Sequence, residues 1–368
     1  MSRLSRRRFL ATGATGAGAL GAGALGAGAL ATPHVARAET AREWRMVTSW
    51  PKNLPGPGVT AQRLAQRITT ASNGALTVKV HAAGEIVPAL EVFDAVQSGT
   101  AQMAHTASFF WQGRFAAAPF FTAVPFGLTA PEHAAWILHG GGQALWDELY
   151  APAGVRAFMA GNTGMQMGGW FTREIHSLDD IKGLKMRMPG LGGAILRKLG
   201  GASVALPPGE IFQALQTGVV DAAEFLGPWS DMAQGFYRVA PYYYAPGFHE
   251  PNGTGECLVS VAAFAELPEN LQAVVADCCA AENAFSVAEA DWMNGAALDT
   301  LVREHGVNLR SFPQDVLAAA RSAAEGVLDE AASGDEMFAK ILASYRQAKT
   351  RLAGWTKTGT VSFLEARG

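Results

Sequence analysis

Two stretches of this chain repeat one pattern, and the repeat limits the fold more than any other feature of the sequence. Residues 93–105 (FDAVQSGTAQMAH) and 212–224 (FQALQTGVVDAAE) have Phe, Ala, Gln, Gly and Ala in the same register. In each copy we predict a helix that ends at a glycine and a short strand that leads to a polar residue, His105 or Glu224. The repeat predicts two similar lobes with a cleft between them.

Strands and helices alternate around the first copy of the repeat. The residue pattern predicts a strand over 43–49, an amphipathic helix that ends near Asn73, and a second strand over 76–81. Because a strand, a helix and a strand in succession form a parallel crossover, we expect an α/β fold in which each lobe is a mixed sheet flanked by helices. About 330 residues remain for it after the N-terminal segment, enough chain for two cores.

The order of these patterns divides the chain into four segments after residue 38. We expect residues 39–155 to form the first part of lobe I, 156–254 to form lobe II, and 255–312 to return to lobe I with a long helix. Residues 313–368 form an alanine-rich helical segment at the C-terminus. Its helices either cover the sheets of their own lobes or form a contact with a second copy of the chain.

The first 38 residues have the pattern of an export signal. Residues 5–10 (SRRRFL) contain a twin-arginine motif, a run of glycine and alanine follows, and residues 36–38 (ARA) resemble a cleavage site. A retained membrane anchor is the alternative, but the run is weakly hydrophobic and a cleavage site follows it. We therefore expect a periplasmic protein exported by the twin-arginine pathway, with a mature chain that begins near Glu39.

Charge and cysteine content exclude several classes of protein. Loss of the signal changes the formal net charge from −3 to −8, because it contains five arginines and no acids. A chain this acidic offers no basic surface to nucleic acid or to anionic membranes. Cys257, Cys278 and Cys279 are an odd number of cysteines, and the last two are neighbours in a predicted helix, where they are badly placed to bridge each other. A disulfide framework is therefore not expected.

Residues 182–189 (KGLKMRMP) alternate between apolar and basic side chains before a proline. The alternation is typical of a half-buried strand, with three apolar residues on one face and Lys185 and Arg187 on the other. Because a Pro-Gly pair ends the strand, Arg187 is expected near a strand end, where open α/β sheets bind ligands. We predict that Arg187 binds a carboxylate. The alternative is an ordinary surface arginine in an exposed strand.

Two further stretches contribute candidates for the wall of the cleft. Residues 162–170 (NTGMQMGGW) allow the backbone to approach a ligand closely, and we expect Gln166, with Asn162 at the start of the loop, to face the cleft. The loop lacks the glycine spacings of nucleotide sites, so nucleotide binding is excluded. The aromatic stretch after His105 is mostly core, but Ser108 and Trp111 near its start are candidate substrate contacts.

These features resemble the solute-binding subunits of tripartite ATP-independent periplasmic (TRAP) transporters. The resemblance rests on the twin lobes and on residues 74–87 (GALTVKVHAAGEIV), 183–187 (GLKMR) and 220–224 (VDAAE), and it covers essentially the whole mature chain. It implies a two-lobed periplasmic binding protein of the type II-like class, with long C-terminal helices through which related subunits dimerise.

Three longer motifs resemble the branch of that family that binds 2-oxo monocarboxylates or lactate together with a metal ion. They are residues 162–170, 224–228 (EFLGP) and 249–251 (HEP). The branch often has tryptophan where this chain has Phe225. Because that residue is expected to contribute only a main-chain carbonyl to the ion, the difference affects the shape of the pocket more than ion binding.

The resemblance implies a role for five residues. Arg187 pairs with the substrate carboxylate, and Gln166 contacts both the substrate and the metal. Glu224, which is also a candidate substrate contact, and Glu250 supply carboxylate oxygen to the ion. Phe225 supplies its main-chain carbonyl. The implied set predicts one site for an anion and a cation together.

The chemistry of these groups agrees with that set independently of the resemblance. The planar guanidinium of arginine holds a carboxylate through two hydrogen bonds. Amide, carboxylate and carbonyl oxygens suit a hard cation. Zinc is disfavoured because no paired His or Cys occurs at zinc spacing, and we expect His249 to be structural or to support a ligand of the ion. Two carboxylates, a monoanion and Arg187 leave a neutral site with Ca²⁺ and one negative charge with Na⁺, so both ions remain open.

The sequence therefore predicts a periplasmic protein that captures a small 2-oxo acid, such as pyruvate, or lactate with a metal ion, and delivers it to the membrane subunits of a TRAP transporter. No enzymatic activity is expected, because no nucleophile and base pair and no nucleotide motif accompany these residues. Two alternatives remain: a periplasmic enzyme that acts on 2-oxo acids, and a binding protein that reports its ligand to a receptor.

Overall fold

The computed structural model describes residues 41–368, so the predicted export signal lies outside the described residues. Two mixed sheets of five and six strands are flanked by helices, as the sequence predicts for each lobe. In chain order the strands are β1 (Arg42–Thr48), β2 (Leu76–His81), β3 (Met103–Thr106), β4 (Val155–Asn162), β5 (Gly169–Phe171), β6 (Lys185–Arg187), β7 (Ala202–Val204), β8 (Ala222–Ala223), β9 (Tyr242–Ala245), β10 (Thr254–Ser260) and β11 (Asn308–Ser311).

Twelve α-helices connect and cover these strands within residues 41–368. They are α1 (Pro57–Ala71), α2 (Val92–Gln97), α3 (Ala130–His139), α4 (Gly142–Tyr150), α5 (Gly190–Lys198), α6 (Ile211–Gln216), α7 (Pro228–Gln234), α8 (Val261–Ala265), α9 (Glu269–Arg303), α10 (Gln314–Gly334), α11 (Glu336–Trp355) and α12 (Ser362–Arg367). None of these helices within residues 41–368 is both long enough and apolar enough to cross a membrane.

The sequence repeat corresponds to a repeat of the fold. The strand order is β2-β1-β3-β10-β4 in the first sheet and β11-β9-β5-β8-β6-β7 in the second. β1 pairs in parallel with β2 and β3, and β6 pairs in parallel with β7 and β8. The two copies of the repeat are α2 with β3 and α6 with β8, and each helix is followed by a glycine with positive φ, 77° at Gly99 and 72° at Gly218. The predicted helix, glycine and strand are thus confirmed in both copies.

Two of the predicted segment boundaries were wrong. β4 was assigned to lobe II, but it pairs antiparallel with β10 from Val155 to Asn162 and so belongs to the first sheet. β11 was assigned to lobe I, but it pairs in parallel with β9 in the second sheet. The long helix α9 packs on both sheets: Val275 lies in a core of the first sheet and Leu301 in a core of the second.

The C-terminal helices α10 and α11 pack on their own chain. α10 packs against α5, and α11 packs against α3 and α4. The apolar residues that α11 buries are Phe338, Ile341, Leu342, Tyr345 and Ala348, and they join the core beside the first sheet. The helices therefore cover their own lobes, the first of the two alternatives, while the chain beyond Trp355 leaves apolar side chains exposed.

Candidate functional site

A cavity lies between the two sheets, and both lobes contribute to its wall. Its aromatic lining residues are Trp50, Phe109, Phe110, Phe225 and Trp229. Within the described residues, Arg187 is the only arginine or lysine in the lining. An anion that enters this cavity therefore meets one positive charge among apolar rings.

Arg187 ends β6 and is buried, with only 2% of the residue exposed. Its Nε donates to the carbonyl of Leu206 (3.2 Å), and its Nη1 donates to the carbonyl of Glu224 (2.8 Å) and to the Glu224 carboxylate. No group among the described residues accepts from Nη2, the remaining nitrogen of the guanidinium. The alternative of an exposed surface arginine was wrong, and the exposed basic residue of the strand is Lys185.

The register of the second sheet brings Glu224 to Arg187. β6 and β8 are parallel and pair Arg187 with Ala223, so Glu224 is the next residue along β8. One carboxylate oxygen of Glu224 accepts from Arg187, and the other accepts from Nε2 of His249 at 3.1 Å. All three side chains are almost fully buried. Each oxygen keeps a second lone pair, so Glu224 retains acceptor capacity toward a further group.

Gln166 and Glu250 lie in the wall of the same cavity and are buried there. Nε2 of Gln166 donates to Thr163 Oγ1 (3.0 Å), while Oε1 has no hydrogen-bond partner among the described residues. A Cβ on Gly253 would collide with Nε2 of Gln166 and would lie 2.5 Å from Oγ1 of Thr163, so a side chain at this position would displace the amide. Burial, and then the charge of Glu224, raise the pKa of Glu250 well above its ordinary value, although Arg187 and Gln166 act in the opposite direction.

These groups fit a hard cation. The ligand atoms of Glu224, His249 and Glu250 lie within 4.8 Å of one another, and Gln166 contributes a buried oxygen that has no partner among the described residues. Buried polar atoms are nearly always hydrogen-bonded or bound to an ion. Because three of the four groups offer oxygen, the arrangement suits Na⁺ or Ca²⁺ better than a metal that prefers nitrogen and sulfur.

The other predicted contacts are only partly brought to this cavity. Asn162 lines it, and its amide donates to Asn252 and Thr254. Ser108 lies outside the lining, and its hydroxyl is hydrogen-bonded to that of Thr122 (2.7 Å), which does line the cavity. Trp111 is also outside, in the core of the first sheet. Neither side chain lies in the lining, whereas the residues between them, Phe109 and Phe110, do line the cavity.

Trp111 marks a buried acid instead. Its Nε1 donates to Glu256 (2.6 Å), which also accepts from the hydroxyl of Tyr150 (3.3 Å), and Glu256 has no exposed surface. Burial raises the pKa of Glu256 from 4.5 to about 8, although the hydrogen bonds from Trp111 and Tyr150 oppose the shift. The carboxyl of Glu256 therefore stays protonated in the folded protein over a range of pH in which it is ionised in the unfolded chain.

We expect the contribution of Glu256 to the free energy of unfolding to fall as the pH rises from about 5 to about 8. Over that range the folded state binds more protons at Glu256 than the unfolded state, so stability decreases with pH, by up to about 4 kcal/mol for a shift of this size. Glu256→Gln keeps the shape and should make stability less dependent on pH. Urea unfolding of both proteins at pH 5.5 and pH 8 measures the difference, and parallel pH profiles would contradict the assignment.

Sequence reasoning missed several lining residues. His105 was recognised as the polar residue of the first repeat but was not assigned to the site. Its Nδ1 accepts from Trp50 Nε1 (2.8 Å), its Nε2 donates to the carbonyl of Ala160 (3.0 Å), and burial lowers its pKa to about 4, so it is neutral at pH 7. Its alignment with Glu224 in the repeat was the signal that could have found it. Asn294 on α9 also lines the cavity, and no sequence pattern marked it.

Comparison with known proteins gives a family match over most of the chain. A model of the family described as bacterial extracellular solute-binding protein, family 7 (DctP), matches residues 46–335. The sequence is 40% identical over 320 residues to the monocarboxylate 2-oxoacid-binding periplasmic protein of Nostoc sp. (strain PCC 7120), with 87% of each chain covered.

Solved structures with the same fold include three that contain a small acid with an ion. A TRAP periplasmic solute-binding protein from Pseudoalteromonas atlantica contains sodium and pyruvate (TM-score 0.85, 39% identity, 88% of this chain and 98% of that one). One from Colwellia psychrerythraea contains calcium and pyruvate (0.86, 38%, 88% and 99%). One from Bordetella bronchiseptica is a mixed-occupancy dimer with calcium and picolinate (0.86, 35%, 88% and 96%).

Proposed function

This chain belongs to family 7 of the bacterial extracellular solute-binding proteins, and from that premise we propose that it captures a small 2-oxo monocarboxylate, pyruvate or a close analogue, together with Na⁺ or Ca²⁺. It then delivers this ligand to the membrane subunits of a TRAP transporter. The observation that carries the proposal is a buried arginine with a free nitrogen beside buried carboxylate and amide oxygens in one cavity.

Each part of the ligand has a counterpart in the cavity. The carboxylate accepts a charge-assisted hydrogen bond from Nη2 of Arg187, the nitrogen of the guanidinium that has no acceptor among the described residues. Glu224, Glu250, Oε1 of Gln166 and the main-chain carbonyl of Phe225 hold the cation. When bound, the cation neutralises the two carboxylates and attracts the 2-oxo group of the ligand. The aromatic wall excludes water, which strengthens these charged contacts.

Delivery to a transporter implies that the protein works outside the cytoplasm. The family is extracellular, and the named relative from Nostoc is periplasmic. The route we propose is twin-arginine export, directed by residues 1–38, which carry the motif. Fusion of residues 1–38 to a reporter that matures only after folded export tests the route, with Arg6→Lys/Arg7→Lys as the matched control.

Calorimetry of metal-stripped protein tests the function. We expect pyruvate to bind in the presence of CaCl₂ or NaCl and to bind much more weakly after chelation, because the ligand then loses its attraction to the cation. NMR of the recovered ligand separates this function from an enzyme acting on 2-oxo acids, since a binding protein returns pyruvate unchanged. Pyruvate binding of equal strength with and without any cation would contradict the proposal.

His249 is expected to support cation binding through Glu224. Because its Nε2 donates to a carboxylate oxygen, it fixes the orientation of a proposed cation ligand. His249→Gln keeps an N–H donor, whereas His249→Leu keeps only the volume. We expect Ca²⁺ affinity to fall about 10-fold or more in the leucine variant and less in the glutamine variant, as measured by calorimetry without pyruvate. Equal losses in both variants would show that only packing matters.

We also propose that the protein forms a homodimer through its C-terminal end. Beyond the packed part of α11, Trp355 is 72% exposed and Phe363 and Leu364 are exposed as well, although each is apolar. Several exposed apolar side chains in one segment mark a contact surface. A second copy of the chain offers the same surface as its partner. Sedimentation should show a dimer for the wild type and a monomer for Trp355→Ser/Phe363→Ser. A monomeric wild type would contradict the dimer.

A further inference from the structure

One loop of the first lobe reaches into the second. Residues 51–56 connect β1 of the first sheet to α1, which packs on the first sheet. Leu54 in this loop is nevertheless only 4% exposed and belongs to the core of the second sheet, together with Trp170, Ile211 and Phe225. By its place in the chain Leu54 belongs to the first lobe, but its side chain packs in the core of the second.

Two further contacts tie the loop to the second lobe. The hydroxyl of Ser230, on α7, donates to the carbonyl of Pro55 at 2.9 Å. Gly56 has a φ of 82°, and a Cβ at this position would lie 2.8 Å from Oγ of Ser230. The glycine thus permits both the left-handed backbone and the close approach of α7. Loop and helix meet through an apolar side chain, a hydrogen bond and a tight backbone contact.

The same loop borders the cavity on both sides. Trp50 precedes it and Pro57 follows it, and both line the cavity, whereas Leu54 does not. If the two sheets separate when a ligand leaves, Leu54 is withdrawn from the second core into water. That exposure opposes opening, because burial of a leucine side chain is one of the larger favourable terms available to a single residue. Leu54 is thus placed to resist release of a ligand from a cavity that its own side chain does not line.

We infer that residues 51–56 form an interlobe clasp and that Leu54 is a positioning residue that sets how long the ligand stays bound. The inference rests on the proposed function for the identity of the ligand. Its physical content is independent of that function: Leu54 holds the two lobes together. Loss of its side chain should speed ligand release and leave association nearly unchanged, since the clasp closes after the ligand has entered.

Stopped-flow tryptophan fluorescence with pyruvate and CaCl₂ tests the clasp. We expect Leu54→Ala to raise the dissociation rate constant about 10- to 100-fold and to change the association rate constant less than about threefold. Leu54→Met keeps the volume and should remain near the wild type. The matched control is Leu215→Ala, because Leu215 is buried in the same core but belongs to α6 rather than to the loop. It should weaken the fold in urea without changing ligand release.

A second measurement needs no ligand. Small-angle X-ray scattering of the cation-free protein should give a larger radius of gyration for Leu54→Ala than for the wild type and Leu215→Ala, because the open form becomes more populated. If the wild type does not bind pyruvate with any cation, the proposed function fails while this comparison still decides the clasp. Equal radii, or equal dissociation rates in Leu54→Ala and Leu215→Ala, would show that Leu54 only fills the core.

Discussion

Arg187→Ala is expected to weaken pyruvate binding by at least about 100-fold in the presence of Ca²⁺. The ligand carboxylate would lose its charge-assisted hydrogen bond to Nη2, at roughly 1.5–3 kcal/mol, and the attraction of the only arginine or lysine in the described lining of the cavity. Arg187→Lys keeps the charge without the planar fork, so we expect an intermediate loss. Calorimetry of the three proteins measures the series.

Loss of the arginine also leaves Glu224 buried without its strongest partner, which by itself destabilises the fold. The double variant Arg187→Met/Glu224→Gln removes both charges and should restore the stability measured in urea but not pyruvate binding. Arg310→Ala is the matched control, because Arg310 pairs with Glu174 and does not line the cavity. Pyruvate affinity within about threefold of the wild type in Arg187→Ala would contradict the role of Arg187.

The position of Arg187 at the end of a strand was predicted from the residues next to it in the sequence. The alternation over residues 182–189 and the proline after it are sufficient to place the side chain at a strand end. Its burial did not follow from the same pattern, which makes Lys185 and Arg187 equivalent. Arg187 is buried and Lys185 is not, because the register of β6 and β8 places Glu224 beside Arg187. That register depends on pairing between residues far apart in the chain.

The misassigned strands have the same cause. β4 and β11 were recognised as strands near their observed positions, but the sheet to which a strand belongs depends on its partners. β4 pairs with β10, which lies almost a hundred residues further along the chain. No periodicity in a single sequence reports such a partner, so the crossing between lobes was placed before β4 rather than after it.

Individual side chains were predicted less well than the motifs that contain them. Ser108 and Trp111 were chosen from a stretch that does reach the cavity, but the residues that face it are Phe109 and Phe110. Ser108 to Trp111 form a short helical turn, in which Ser108 and Trp111 are buried and Phe109 and Phe110 face the cavity. The sequence pattern does not indicate that turn. The contribution of Leu54 to the second core was missed for a related reason, since a loop has no periodicity to interpret.

Glu250→Gln is expected to change cation affinity and stability in opposite directions. Glu250 is buried, and burial together with the charge of Glu224 raises its pKa, so without a cation its ionised form is unfavourable. With the negative charge removed, we expect Ca²⁺ affinity to fall about 100-fold, while the cation-free protein becomes more stable at a pH where the unfolded chain ionises Glu250. Calorimetry with CaCl₂ and urea unfolding after chelation measure the two effects.

The opposite signs are what separate a binding residue from a structural one. If a buried carboxylate stabilises the fold, neutralising it destabilises the protein. If it serves to bind a cation, it destabilises the cation-free protein, and neutralising it has the opposite effect. Glu148→Gln is the matched control, because Glu148 pairs with Lys340 on the surface and should change neither quantity by much. If Glu250→Gln instead destabilised the chelated protein and left Ca²⁺ affinity unchanged, Glu250 would be a structural acid. The cation would then have to be held by Glu224 and Gln166 without it.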